Sequence, residues 1–121
     1  MNRTTIIIGA SPREDRYSNM AQKALTAAGH TVLPYHPSGG EIDGVAVITD
    51  LNDELPPIDT VTIYVRPEIL STMIEKLIAL KPGRVIFNPG TEDAVLEKGL
   101  RAEGIEVVEA CTLVMLKTAQ Y

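Results

Sequence analysis

The sequence has little of several residue types, and each shortage excludes a class of protein. Its 121 residues include one cysteine and two histidines, which rules out an internal disulfide and a Cys/His zinc cluster. Aromatic residues make up 4% and tryptophan is absent, which argues against base-stacking platforms for nucleic acid. Basic residues number 11 against 16 acidic ones, giving a net charge of -5. That sign disfavours the coating of nucleic acid or of anionic lipid.

Long hydrophobic runs are also missing. The N-terminal segment reaches three consecutive isoleucines before Gly9, far short of a signal-peptide core or a membrane span. Together with the single cysteine, Cys111, this predicts a cytoplasmic protein with neither a nucleic-acid nor a membrane partner. The remaining composition is that of a globular protein, with 45% hydrophobic and 22% charged residues. At this length it predicts a single domain over residues 1–121.

Short β-branched runs alternate along the chain with segments whose apolar residues recur at helical spacing. Ser18 or Asn19 is expected to cap the first helix and Thr91 the third, while Pro34 indicates an early end or an edge position for the second strand. The predicted strands are 4–8, 31–35, 45–48, 59–65, 84–87 and 105–108, and the predicted helices are 18–28, 67–80, 92–103 and a terminal segment, 111–120.

This alternation predicts an α/β fold, a Rossmann-like, doubly wound, mainly parallel sheet. We expect the predicted strands in the order 3-2-1-4-5-6, with the short strand at Val45 on one edge. The first and fourth strands are then neighbours whose connections leave in opposite directions. Because ligands of such sheets bind at that switch point, the loops after Ile8 and Val65 are the first candidates for a binding site.

The loop after the first strand lies where backbone amides and a helix dipole favour an anion. As a dinucleotide fingerprint it is incomplete, since Ser11 and Glu14 occupy the second and third glycine positions. The Ser11 hydroxyl, with Arg13 or Arg16, offers hydrogen bonds to phosphate. The alternative is a solvated surface loop with Ser11 in a turn.

The end of the second predicted strand bears on the choice of nucleotide. NAD-binding folds place a carboxylate there for the ribose hydroxyls, whereas this sequence has Tyr35, His36 and Pro37. The usual NAD pattern is therefore missing. His36 either hydrogen-bonds a ligand or is simply solvated.

Five short motifs occur in order along the chain: residues 8–12 (IGASP), 29–37 (GHTVLPYHP), 65–67 (VRP), 88–90 (NPG) and 110–113 (ACTL). Together they resemble the small single-domain CoA-binding proteins, whose fold is that of the CoA-binding domain in the alpha subunit of succinyl-CoA synthetase. The resemblance implies a Rossmann-like fold and a small-molecule nucleotide ligand, CoA or an acyl-CoA, with no metal. The binding residues that it implies are Gly9, Ala10, Ser11, Pro12, Arg13, Arg16, Tyr17 and Ser18 near the phosphates, His36 and Pro37 beside the adenosine, Val65, Arg66 and Pro67 across the crevice, and Asn88, Pro89 and Gly90 along the pantetheine arm.

The resemblance supplies no reaction, and His30, after Gly29, is best explained as a turn residue. A triad of Ser11, His36 and an acid has no nucleophile-elbow sequence behind it. Cys111 is either an inert thiol or a partner for the pantetheine sulfur. We therefore predict noncatalytic binding of CoA or an acyl-CoA. The alternatives are a Cys111- or His36-dependent enzyme or redox-regulated protein acting on a CoA thioester and, third, a dinucleotide sensor.

Two apolar segments, the helix that contains Ile69 and the terminal run 113–116, are most simply explained as core faces. Either one also offers a surface for a homodimer.

Overall fold

In a computed structural model that describes residues 2–121, seven strands and five helices follow one another along the chain. Within these residues no helix is both long enough and apolar enough to cross a membrane. The elements are β1 (Thr5–Ile8), α1 (Tyr17–Ala27), β2 (Val32–Tyr35), β3 (Glu41–Ile42), β4 (Val45–Ala46), β5 (Thr60–Ile63), α2 (Pro67–Leu70), α3 (Ile74–Ala79), β6 (Arg84–Phe87), α4 (Ala94–Ala102), β7 (Glu106–Glu109) and α5 (Thr112–Lys117).

Five strands form one parallel sheet in the order β2-β1-β5-β6-β7. The three central strands, β1, β5 and β6, are buried along their whole length, as expected for β-branched runs covered on both faces. One core cluster includes Ile6, Ile8 and Phe87, and the other includes Ile7 and Leu25. The predicted Rossmann-like α/β fold and the relative order of these five strands are confirmed.

The predicted edge strand at Val45 requires a correction. Residues 45–46 pair antiparallel with residues 41–42 in a hairpin apart from the sheet, turned at Asp43 and Gly44, whose φ angles are 50° and 79°. Only Ile48 bridges to β2: its amide donates to the Pro34 carbonyl at 2.8 Å, and its carbonyl accepts from the His36 amide at 3.1 Å. Because proline has no N–H to continue that ladder, a sixth strand cannot form along β2.

The predicted helix over residues 67–80 is two short helices, α2 and α3. Between them the Ser71 hydroxyl donates to the Glu68 carbonyl at 2.8 Å and the Thr72 hydroxyl to the Ile69 carbonyl at 2.6 Å. Side-chain bonds of this kind compete with the helical hydrogen bonds of the backbone, and the continuous helix is interrupted at residues 71–73.

The helix caps also differ from the prediction. Arg16, not Ser18 or Asn19, occupies the N-cap of α1, and no side chain caps that helix. Asp93, not Thr91, caps α4: its Oδ1 accepts from the Leu96 amide at 2.9 Å. The Thr91 hydroxyl instead donates to the Asn88 carbonyl at 2.8 Å.

Candidate functional site

A cavity of about 800 Å³ opens beyond the carboxyl ends of β1 and β5. These two strands are neighbours, and β2 lies on the other side of β1, so the cavity occupies the switch point of the sheet. Four segments surround it: the β1–α1 loop with the start of α1, the chain after β5, the stretch that leads from β2 into the β3–β4 hairpin, and the loop between β6 and α4.

Eleven of the sixteen binding residues predicted from the sequence line this cavity, and five do not. The eleven are Gly9, Ala10, Ser11, Pro12, Arg16, Tyr17, Ser18, His36, Val65, Arg66 and Pro89. The residues outside the lining are Arg13, Pro37, Pro67, Asn88 and Gly90. Eight further residues of the lining are not among those predicted from the sequence: Ser38, Gly39, Gly40, Glu41, Ile42, Tyr64, Ile69 and Thr91.

Gly9 lets the β1–α1 loop approach the chain after β5. Its φ is +92°, and a Cβ atom built on it would lie 2.8 Å from Val65 Cγ1 and 3.2 Å from the carbonyl carbon and oxygen of Tyr64. An L side chain is disfavoured both by that φ and by those contacts. Glycine is therefore required where two walls of the cavity meet.

The first two amides of the β1–α1 loop are already used within the protein. The amides of Gly9 and Ala10 both donate to the Tyr35 carbonyl, at 3.3 and 3.1 Å. These bonds tie the loop to the end of β2. An anion in the cavity therefore needs other donors, and the Ser11 amide, next in the chain, donates to no residue in the range 2–121.

The N-terminus of α1 supplies such donors. Arg16 at the N-cap has no side-chain oxygen to accept from the first amides of the helix, and in the described part of the chain those of Tyr17 and Ser18 find no acceptor. All three residues line the cavity. Free amides at a helix N-terminus carry a partial positive charge, so this end of the cavity favours an anion.

Asn19, 1% exposed, holds the β1–α1 loop in place. Its Nδ2 donates to the Ser11 carbonyl at 2.9 Å, and its Oδ1 accepts from Lys23 Nζ at 2.8 Å. The Ser11 hydroxyl accepts from the Arg13 amide at 3.1 Å, which closes a local turn. Ser11 thus lies in a turn, as one sequence hypothesis stated, and also lines the cavity.

The three arginines near the cavity differ in their partners. Arg13 pairs with Asp15 at 3.2 Å, and Arg66 lies 3.9 Å from Glu68, in both cases with exposed side chains. The side chain of Arg16 forms no ion pair with residues 2–121. Exposed ion pairs are weak, yet each acidic neighbour offsets part of the positive potential of its arginine. Because Arg16 has no such neighbour, it is the cation best placed for a phosphate.

The β3–β4 hairpin forms the third wall and is anchored on α1. The Gln22 amide nitrogen donates to the Ile42 carbonyl at 3.0 Å, and Lys23 Nζ donates to Asp43 at 3.0 Å. The wall begins at His36, whose Nδ1 accepts from the Ser38 amide at 3.0 Å. In the neutral ring the proton is then on Nε2, which is a donor.

Asn88 lies in the interior, where its side chain bonds to other residues of the protein. It is 3% exposed; its Nδ2 donates to Thr62 Oγ1 at 2.7 Å and to the Ile63 carbonyl at 2.9 Å, while its Oδ1 accepts from the Thr112 amide at 2.9 Å. These bonds join the ends of β5 and β6 to the start of α5. Its neighbours Pro89 and Thr91 line the cavity in its place.

The side chains with nucleophilic or acid–base chemistry are not arranged as a catalytic set. Ser11 and His36 both line the cavity, but within residues 2–121 no hydrogen bond joins them, and each bonds to a backbone amide of its own loop. Cys111 is half-buried at the start of α5, outside the lining. Burial raises the pKa of Tyr64 to about 12, further from the range of an acid or base that works near neutral pH.

No group of three or more His, Cys, Asp or Glu side chains in the described range is placed to hold a metal ion. The cavity lining offers amides, hydroxyls, one imidazole, two arginines and the carboxylate of Glu41. Such a set suits recognition of a phosphorylated organic ligand.

The family described as CoA binding domain matches residues 3–117. An uncharacterized protein of Bacillus subtilis, YneT, is 35% identical over 72 residues, which are 60% of this chain and 53% of that protein. The match therefore spans about half the length of this relative. A crystal structure described as that of an uncharacterized protein is 39% identical with a TM-score of 0.95, covering 100% of this chain and 99% of the other. The structure of cell-free ID.343 from Thermus thermophilus is 28% identical with a TM-score of 0.88, covering 99% and 91%.

Proposed function

The chain belongs to the family of CoA binding domains, and on that premise we propose that its cavity holds CoA or an acyl-CoA without catalysing a reaction on it. The observation that carries this proposal is the position of the cavity at the switch point, with the uncapped N-terminus of α1 in its lining. A volume of about 800 Å³ lies within the usual range for cofactor sites.

In the proposed complex the pyrophosphate of the ligand lies against the start of α1. The amides of Tyr17 and Ser18 and the guanidinium of Arg16 are the donors that this structure leaves available there. They combine a helix dipole with a charge-assisted hydrogen bond, a favourable pairing for a phosphate group.

The other parts of the ligand extend toward the hairpin wall and toward the loop between β6 and α4. The adenosine lies toward His36 and the β3–β4 hairpin, and the pantetheine arm passes Pro89 and Thr91. Because Nδ1 of His36 accepts from the Ser38 amide, Nε2 of the neutral ring carries the proton and donates to the ligand. Asn88 supports the pantetheine end from inside the protein and makes no direct contact with the ligand.

Two features support a binding rather than a catalytic role. Ser11 and His36 are each bonded to the backbone and not to one another, so the serine lacks a base to activate it. Cys111 lies outside the cavity lining, and nothing in this arrangement favours attack by its thiol on a bound thioester. The acidic neighbour of Arg66, Glu68, leads us to expect a modest affinity.

Titration calorimetry with CoA tests the proposal, with ATP and NAD as competing nucleotides. We expect Arg16→Ala to weaken CoA binding by about tenfold, the effect of losing one charge-assisted hydrogen bond. Arg13→Ala is the matched control, because it removes the same charge from the same loop but lies outside the cavity, and its effect should stay below about twofold. No detectable CoA binding to the wild type would refute the proposal, as would equal losses in the two variants.

A further inference from the structure

The end of the second strand is where a Rossmann fold recognises the ribose of its nucleotide. A carboxylate there accepts hydrogen bonds from ribose hydroxyls, whereas an arginine accommodates a ribose phosphate. In this chain β2 ends at Tyr35 with neither type of residue next to it. The chain then turns back through Gly39 and Gly40, and β3 brings Glu41 into the lining of the cavity.

Glu41 is held on this wall by its backbone, and its carboxylate is left unused. The side chain is exposed and forms neither a hydrogen bond nor an ion pair with any residue of the range 2–121. The adjoining backbone is fixed, because the Ile42 carbonyl accepts from Gln22 at 3.0 Å and the Gly40 carbonyl accepts from the Val47 amide at 2.9 Å. Glu41 thus lines the cavity from an anchored segment, and no residue of the range 2–121 engages its carboxylate.

The charges of the lining are divided between its walls. Its two arginines, Arg16 and Arg66, belong to the loops after β1 and β5. The lining residues from 36 to 42 include no lysine or arginine, and Glu41 is the acidic residue among them. A pyrophosphate at α1 therefore has cationic partners in the lining. A phosphate monoester on the ribose would instead face a wall whose lining residues offer the Glu41 carboxylate and no arginine or lysine, because the nearby Lys23 is paired with Asp43.

We propose that Glu41 is the specificity-determining residue of the cavity, accepting hydrogen bonds from the ribose hydroxyls of an adenosine diphosphate ester and disfavouring a phosphate at the ribose 3′ position. The inference rests on the proposed function, because it needs the adenosine to lie toward the hairpin. CoA carries that 3′-phosphate and dephospho-CoA does not. The cavity should accept both, with the dephospho form bound more tightly.

The test is calorimetry with CoA and dephospho-CoA on three proteins: wild type, Glu41→Gln and Glu106→Gln. Glu106 is exposed on β7, outside the cavity, so its variant changes the net charge by the same amount. We expect the wild type to bind dephospho-CoA about three- to fivefold more tightly than CoA, the size of effect typical of one exposed charge pair. Glu41→Gln should bring the ratio of the two affinities close to one, and Glu106→Gln should leave it as in the wild type.

The outcomes separate this inference from the proposal on which it depends. If both ligands bind the wild type and the ratio is unchanged in Glu41→Gln, or shifts equally in Glu106→Gln, the role of Glu41 is refuted while the proposed function stands. A wild type that binds CoA more tightly than dephospho-CoA also refutes it. If neither ligand binds the wild type, the proposed function itself fails.

Discussion

Replacing Gly9 by alanine tests whether the close approach of the loops after β1 and β5 builds the cavity. The added Cβ would lie 2.8 Å from Val65 Cγ1 and 3.2 Å from the backbone of Tyr64. The Val65 side chain can yield by a change of rotamer, but the carbonyl group of Tyr64 cannot, because the Tyr64 amide donates to the Ile8 carbonyl at 2.9 Å. The loop after β1 must therefore move away from its neighbour.

The expected cost has two parts. A non-glycine residue at a φ of +92° carries strain of about 1–2 kcal/mol, and forcing an extra methyl group against packed atoms adds about 1–3 kcal/mol. Gly29 provides the control, because its φ is +89° but nothing lies within 4 Å of the added atom. Gly29→Ala should therefore cost only the strain. Gly9→Ala should lower the free energy of unfolding by a further amount of about 1–3 kcal/mol.

Urea unfolding of both variants, followed by circular dichroism, measures this difference. Calorimetry with CoA should then show a loss of affinity in Gly9→Ala and not in Gly29→Ala, since Gly29 lies outside the cavity. Equal unfolding free energies for the two variants would refute the contact argument, and an unchanged affinity in Gly9→Ala would refute the role of that contact in the site.

Three further predictions concern stability. Asn88→Ala leaves the buried Thr112 amide and Ile63 carbonyl without their partner and should lower the unfolding free energy by about 2–4 kcal/mol; a loss below about 1 kcal/mol in urea titrations would contradict its structural role. Burial raises the pKa of Tyr64 to about 12, so the folded protein prefers the neutral phenol. The free energy of unfolding therefore keeps this contribution in full below about pH 10 and loses it, up to about 3 kcal/mol, as the pH rises through 12. Tyr64→Phe should lose less stability than the wild type between pH 10 and pH 12, and identical pH profiles would argue against the raised pKa. Asp93→Ala should lower the free energy of unfolding by about 1 kcal/mol, because α4 loses its N-cap. A variant that unfolds thermally at the wild-type midpoint would contradict the capping role of Asp93.

The central sheet could be predicted from the sequence because its signal is local. Continuous β-branched or apolar runs such as residues 5–8 and 60–63 suit strands buried on both faces. Their alternation with helices fixes parallel crossovers, and the position of the switch point follows. The sequence therefore suffices to predict that the loop after Ile8 lines a candidate site.

The hairpin wall could not be predicted in the same way. With two residues in each strand, it is too short to show an alternating pattern. Its place against α1 depends on the contacts of Gln22 and Lys23 with residues about 20 positions away. The Asp43-Gly44 pair, a typical hairpin turn, was the signal that could have found it.

Asn88 shows a second limit of sequence analysis. Asn-Pro-Gly is a turn sequence, which correctly indicates the bend after β6 but gives no direction for the asparagine side chain. That direction is fixed by Thr62 on the neighbouring strand and by the Thr112 amide at the start of α5. Long-range partners of this kind decide whether a polar residue faces a ligand or the interior.

A CoA site at the switch point is tested most directly by titrating the ¹⁵N-labelled protein with CoA and following the chemical shifts of its backbone amides. We expect the largest changes on Ser11, Tyr17 and Ser18, whose amides find no acceptor among residues 2–121, and on Gly39 and Gly40 of the hairpin wall. Unchanged spectra, or changes centred at the opposite end of the sheet around Arg84, would contradict a CoA site at the switch point.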